Sequence, residues 1–295
     1  MKLNRFQDPR VFFDRTREYL VTKEFIHSLP LRISQIFLDN ARVYQELPYL
    51  ATVEKDNNIV AVAIKTPKRN LILSEVKDLA ALEKIAEDFY KNNLEIPGVT
   101  GLKKETKTFA EIWHNLTSQA YKISMHLRIH KLEKVQLINK AKGNLISANQ
   151  SDRDLLLNWT KAFAREVAGS IPANINKDVD RYLKEKSVYF WQDNNKLVAF
   201  INAARITPNS VNIGPVYTPP EYRRKGYATS MVSQLSQILL DRGFKYCLLF
   251  TDLANPTSNH IYHKIGYQPI CDWNEYSFFI KSSQTHYLLL RAFDN

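Results

Sequence analysis

The run Arg223-Arg224-Lys225-Gly226-Tyr227-Ala228 joins an extended segment ending in Pro219-Pro220 to an amphipathic helix that begins near Thr229. Before it, Ser210 to Thr218 is mostly apolar or small, with a Gly214-Pro215 interruption; after it, Met231, Val232, Leu235, Ile238 and Leu239 recur at helical spacing. Strand, turn and helix in this order expose the unpaired N–H groups of a helix's first turn, together with their partial positive charge, to any oxyanion that can replace the missing acceptors. Such a turn can hold a pyrophosphate. Gly226 and Ala228 keep the approach to the backbone open, and Arg223, Arg224 and Lys225 can add charge-assisted contacts from the rim. The chain has no G-x-x-x-x-G-K-[ST] and no G-x-G-x-x-G, so nucleoside triphosphates and dinucleotides recede as ligands.

A second candidate lies downstream. Tyr246 to Thr251 reads as a strand, followed by a short helix over Pro256 to Ile265. Asn255 suits the N-cap, Pro256 the first helical position, and Gly266 the end. Ser258 and Tyr262 are four apart and share a face, so a phenol stands beside a small residue where a ligand can come close. The same pattern also suits a half-buried core aromatic.

Together these two segments resemble the GNAT superfamily of acyl-CoA-dependent N-acyltransferases, whose pyrophosphate turn reads [QR]-x-x-G-x-[GA]. Arg223, Gly226 and Ala228 fill that pattern, and Asn255, Tyr262 and the Gly266-Tyr267 pair match the form of the family's second motif. The resemblance implies acetyl-CoA as co-substrate, with Arg223, Arg224, Lys225, Gly226, Tyr227, Ala228 and Thr229 at the pyrophosphate. It also implies Val216, Tyr217 and Thr218 along the pantetheine arm, Asn255 and Ser258 at the cofactor, and Tyr262 protonating the departing thiolate. In such proteins the strand before the turn splays from its neighbour at a bulge, which Gly214-Pro215 suits because a strand tolerates that pair only at an edge or bulge; the pair can equally just end a strand.

One departure concerns the general base. Val211 to Thr218 holds no Asp or Glu; Glu221, Asp252, Glu166 and Glu275 are the alternatives, and an amine that arrives neutral needs none of them. The resemblance places the acceptor wall at Ala168 to Ala173 and a small-molecule primary amine as the acceptor. Two further readings stay open: a non-catalytic acyl-CoA-binding protein that recruits a partner, and acyl or aminoacyl transfer to a macromolecule.

The elements that must position these residues repeat. In the first half Arg10–Thr22 and Leu31–Leu47 read as helices, Leu50–Lys55, Ile59–Thr66 and Asn70–Ser74 as strands, then Leu79–Asn92 and Lys107–Ala120 as helices and Tyr121–Leu132 as a strand. After Asn144 the order recurs: strand 145–147, helices 152–167 and 175–184, and strands 187–192 and 197–206. The expectation is an α/β (α+β) fold, with a mixed, mostly antiparallel sheet flanked by helices in two tandem GNAT-like copies. Residues 1–140 would be a degenerate copy, since Arg69 to Val76 holds no glycine, and 141–295 the catalytic one, with the boundary in Ile138 to Asn144.

Composition sets outer bounds. The 295 residues, 44% of them hydrophobic, suffice for one large domain or two of ordinary size. No apolar run approaches the roughly 20 residues of a membrane span, and Met1 to Arg10 does not read as a signal region. Two cysteines, Cys247 and Cys271, do not make a disulfide framework and suit a reducing cytoplasm. The net charge of +11 divides into +6 over 1–140 and +5 over 141–295. That even spread, densest at Lys65 to Arg69 and Lys103 to Lys107, reads first as a solvated basic surface, with steering of a polyanionic CoA or docking on an acidic macromolecule as the functional alternatives. His126 and His130 fall on a strand pattern, which separates them by about 13 Å, so no metal site is expected. Oligomeric state has no signature in the chain.

Overall fold

The computed structural model describes residues 1–40 and 47–280. In chain order its elements are β1 (Lys2–Arg5), α1 (Pro9–Val21), α2 (Ser28–Asn40), β2 (Tyr49–Lys55), β3 (Asn58–Lys65), β4 (Leu71–Leu73), α3 (Ala80–Lys91), β5 (Gly98–Leu102), α4 (Lys103–Thr117) and β6 (Ala120–Leu132). The same sequence of ten then repeats: β7 (Asn144–Ser147), α5 (Arg153–Ala168), α6 (Ile175–Lys184), β8 (Val188–Asp193), β9 (Lys196–Arg205), β10 (Ser210–Tyr217), α7 (Tyr227–Asp241), β11 (Tyr246–Asp252), α8 (Pro256–Ile265) and β12 (Gln268–Phe279). The helix expected over 31–47 begins at Ser28, and positions 41–46 lie outside the described residues.

Two compact units follow from the contacts. One comprises Met1–Ile129, Asp252–Ala254 and the chain from Cys271; the other comprises His130–Thr251 and Asn255–Ile270. They do not follow a chain-order cut at 140/141, because β12 from Cys271 onward belongs to the first unit, antiparallel to β5 from Trp273↔Leu102 to Ser277↔Gly98. Strand partner choice is set by long-range packing, which leaves no local mark in the sequence.

In the first unit the strands run β1-β2-β3-β4-β5-β12-β6, with β4 and β5 parallel. Leu82, Ile85 and Phe89 of α3 and Phe109 and Trp113 of α4 pack on Ala51, Val53, Ala61, Ala63, Leu71 and Leu73. β1 and β5 escape sequence reading. Pro97-Gly98 looks like a break, yet Gly98 opens β5 because a Cβ there would collide with the Tyr276 carbonyl. The basic cluster at the end of β3 contributes Lys65 and Lys68 to a cavity of about 820 Å³ beside Phe89, Trp113 and Phe278.

In the second unit the order is β11-β10-β9-β8-β7, with β10 and β11 parallel and the other pairs antiparallel. The helical stripe read from sequence is the one that α7 buries: Met231, Val232, Leu235 and Leu239 meet Val211, Ile213, Cys247 and Leu249. Leu156 of α5 and Val179 of α6 pack with Phe190, Phe200 and Tyr217. The segment expected to be a boundary is instead packed: Trp191 Nε1 donates to the Lys142 carbonyl at 2.9 Å, and the Ala141 N–H donates to Ser230 Oγ at 2.8 Å.

Candidate active site

The thirteen residues assigned above to the cofactor and to protonation of the thiolate all fall in the second unit, on β10, the turn after it, α7, and α8 with its N-cap. β10 pairs with β11 over Ser210↔Tyr246 to Asn212↔Leu248, and that register ends there. On its other side β10 continues along β9, with a register shift between Ile213 and Val216 before Val216↔Ile201 and Tyr217↔Phe200. The bulge therefore sits at Gly214-Pro215, where the peptide is cis and Gly214 has φ +143°. Sequence reading missed what holds it: Asn202 on β9 donates from Nδ2 to the Gly214 carbonyl at 3.2 Å and accepts from Ser187 Oγ at 2.6 Å.

Past Asn212, one edge of β10 offers backbone groups to an extended ligand, as an added strand would use them. Two buried polar atoms there lack partners among the described residues: Asn212 Oδ1, at the last shared rung, and Thr218 Oγ1, just after the strand. Such atoms are costly unless something meets them.

The turn beyond β10 has the conformation its glycine suggests. Arg224 has φ +63° and Gly226 φ +79°, a left-handed geometry in which Gly avoids the Cβ clash. Gly226 is the N-cap of α7 and no side chain caps the helix, so the N–H groups of Tyr227, Ala228 and Thr229 keep the unpaired character of a first turn. Tyr227 is fixed by a 2.6 Å hydrogen bond from its hydroxyl to Asp193 on the β8–β9 hairpin, which raises the phenol's pKa.

Arg223 is not a rim contact. Its Nε donates to the Thr218 carbonyl at 2.9 Å, a terminal nitrogen pairs with Glu166 of α5 at 2.6 Å, and the guanidinium lies 5.8 Å from the centre of the Tyr217 ring. The hydrogen bond that the guanidinium donates to Glu166 raises its pKa. Arg223 thus ties α5, the end of β10 and the turn together, and Arg224 and Lys225 remain exposed at the rim.

On α8, Asn255 caps through its side chain, accepting from the Ser258 N–H at 3.1 Å, while Ser258 Oγ donates to the Asn255 carbonyl at 3.1 Å. Gly266 closes the helix at φ +109°. Tyr262 is half-buried against the core, its ring edge-on to Tyr267 at 5.8 Å, and Tyr267 in turn shares a 2.8 Å hydrogen bond with Ser236 of α7. Burial alone pushes Tyr262 up to about 12, so its hydroxyl keeps its proton at neutral pH, as a proton donor must. Among the alternative bases, Glu166 is paired as above, Glu221 is exposed, and Asp252 Oδ1 accepts from the Ala254 N–H. Glu275 lies in the first unit, where burial raises its pKa.

The sequence profile of the Acetyltransferase (GNAT) family matches over 154–267, the stretch that holds the splayed parallel strand pair and the uncapped, glycine-opened helix after it. Residues 154–267 form a GNAT acetyltransferase domain. Similar solved structures carry the fold further. A GCN5-related N-acetyltransferase from Sphaerobacter thermophilus has TM-score 0.64 at 13% identity, covering 95% of this chain and 98% of that one. A GNAT-family acetyltransferase from Colwellia psychrerythraea has TM-score 0.57 at 12% identity, covering 95% and 100%. A tandem GNAT protein from the clavulanic acid biosynthesis pathway has TM-score 0.60 at 10% identity, covering 95% and 100%. No curated protein matches the chain. The likeness in fold covers 95% of the chain, so it extends over both halves, in keeping with the repeated element order.

The corresponding part of the first unit is built differently. Gly101 of β5 lies so close to β4 that a Cβ there would stand 3.2 Å from the Leu73 carbonyl oxygen. The backbone beyond β4 is served by the chain's own side chains. His27 Nε2 accepts from the Glu75 N–H at 3.2 Å, Glu105 from the Val76 N–H at 3.4 Å, and Tyr19 donates to the Glu75 carbonyl at 2.7 Å.

Proposed function

We propose that the chain is an N-acetyltransferase that moves an acetyl group from acetyl-CoA to a primary amine of a small molecule. The observation that carries this reading is the separation of β10 from β11 after Asn212, leading into the uncapped first turn of α7. The residues fit the cofactor: the backbone of Val216, Tyr217 and Thr218 would pair with the pantetheine amides, the orphaned Thr218 hydroxyl and Asn212 amide oxygen would gain partners, and the open turn at Gly226 would take the pyrophosphate. Acetyl-CoA would supply an acetyl group activated as a thioester. The protein's own contribution is to hold the reactants together and to keep a proton at the Tyr262 hydroxyl for the departing sulfur. An amine arriving neutral needs no carboxylate on β10.

The exposed loop Ala168–Ala173 at the end of α5 would border the acceptor, and the Glu166–Arg223 pair ties that helix to the turn. The first unit reads as a degenerate copy that does not take acyl-CoA, because His27, Glu105 and Tyr19 already use the backbone groups a pantetheine would need. Among the described residues no helix is long and apolar enough to cross a membrane, and two free cysteines suit a reducing cytoplasm. Tyr262→Phe tests the chemistry: turnover should fall by about 100-fold, the lower range for a lost general acid, with acetyl-CoA affinity unchanged. Equal turnover would remove Tyr262 from the reaction.

A further inference from the structure

The segment Lys140–Gly143 lies in the second unit against the first turn of α7, and three observations fix it there. The Ala141 N–H donates to Ser230 Oγ at 2.8 Å, and Trp191 Nε1 donates to the Lys142 carbonyl at 2.9 Å. Gly143, at φ +111°, allows a close approach that a Cβ would turn into a collision with the Gln192 carbonyl. The Ala141 methyl is also the atom nearest to a Cβ built on Gly226, at 3.7 Å. This segment therefore forms part of the wall of the pyrophosphate turn.

It carries two exposed lysines. The Lys140 ammonium rests 5.6 Å from the centre of the Trp191 ring, and Lys142 has no ion-pair partner among the described residues. The acidic groups at the same turn include Asp193, which accepts from the Tyr227 hydroxyl, Glu166, which accepts from Arg223, and the exposed Glu221. Arg223 is committed to Glu166. Arg224 and Lys225 on the turn itself, and Lys140 and Lys142 on the packed segment, are exposed cations here. A pyrophosphate diester carries two charges, which the first-turn N–H groups, Arg224 and Lys225 suffice to meet. Coenzyme A carries a further phosphate monoester on its ribose 3′ oxygen, with a charge near −2 and three acceptor oxygens of the kind lysine binds.

We propose that Lys140 and Lys142 form a subsite for the 3′-phosphate of acyl-CoA, so that this chain discriminates acyl-CoA from its 3′-dephospho form. The proposal rests on the acetyl-CoA reading above and assigns a role to a segment that no motif marks. The test is calorimetric titration of the full-length protein with acetyl-CoA and with 3′-dephospho-acetyl-CoA, for the wild type, the Lys140→Ala/Lys142→Ala double variant and Lys142→Glu. Both side chains are exposed, so the fold is retained, and Lys142→Glu reverses a charge without touching the Trp191 contact. The wild type should bind acetyl-CoA about tenfold more tightly than the dephospho form, the effect of one charge-assisted contact. The double variant should bring that ratio near one while leaving dephospho-acetyl-CoA affinity unchanged, and Lys142→Glu should lower acetyl-CoA affinity more than that of the dephospho form. A double variant that keeps the wild-type ratio, or that weakens both ligands equally, overturns the assignment. A wild type that binds neither ligand removes the cofactor reading and this subsite with it.

Discussion

Replacing Thr218 by Val should stabilise the free protein and weaken it as an acyl-CoA receptor. Thr218 Oγ1 is buried with no partner among the described residues, and leaving such a hydroxyl unsatisfied costs about 1–3 kcal/mol. Valine keeps the branched shape, and the Thr218 backbone carbonyl can still accept from Arg223 Nε at 2.9 Å, so the substitution removes the penalty and little else. At the low end, 1 kcal/mol corresponds to a rise in Tm of about 2–4 °C for a cooperative unit of 150–250 residues. If the hydroxyl meets a pantetheine amide in the complex, the same change loses one hydrogen bond of about 0.5–1.5 kcal/mol, or roughly a 2- to 13-fold weaker Kd. Thermal unfolding without ligand and calorimetric titration with acetyl-CoA read the two effects separately. A lowered Tm, or a raised Tm with unchanged affinity, would show that this hydroxyl is not held for a ligand.

The Glu166–Arg223 pair joins exposed side chains, so a double-mutant cycle with Glu166→Gln and Arg223→Gln should give a stability coupling of only about 0.5–1 kcal/mol. Each single variant should nonetheless weaken acetyl-CoA binding several-fold because the turn loses its anchor; a cycle with no coupling in denaturant titrations and no effect on affinity would show the pair to be incidental. Because burial raises Tyr262 from the ordinary tyrosine range to about 12, its donor form persists across the assay range, and kcat should show no alkaline loss from this group below pH 10. The stabilisation of its neutral form is full below the unfolded value near 10 and is lost as pH rises toward 12. Wild-type stability should therefore fall over that window more steeply than that of Tyr262→Phe, and identical slopes would contradict the assigned burial.

What the sequence made legible was local. Gly226 and Ala228 mark a turn that needs a left-handed residue and an open approach, and Asn255, Pro256 and Gly266 mark the ends of α8, because caps are chosen by backbone geometry a few residues away. The stripe from Met231 to Leu239 named the face of α7 that is buried. What remained hidden depends on residues far apart in the chain: Asn202 on the Gly214 carbonyl, Asp193 on Tyr227, Glu166 on Arg223 and Ala141 on Ser230. Arg223 fits the motif by type, yet its direction is set by Glu166, 57 positions earlier. β5 stayed unread because Pro97-Gly98 is a turn signal unless a neighbouring backbone requires glycine.

The most direct test of the central claim is titration of the full-length protein with acetyl-CoA, for the wild type and for Gly226→Val. One acetyl-CoA should bind per wild-type chain and binding should be lost in the variant, because a branched side chain at φ +79° both strains the backbone and stands in front of the first-turn N–H groups. A wild type that binds no acetyl-CoA, or a Gly226→Val variant that binds it equally well, would mean that the turn at Gly226 is not the cofactor site.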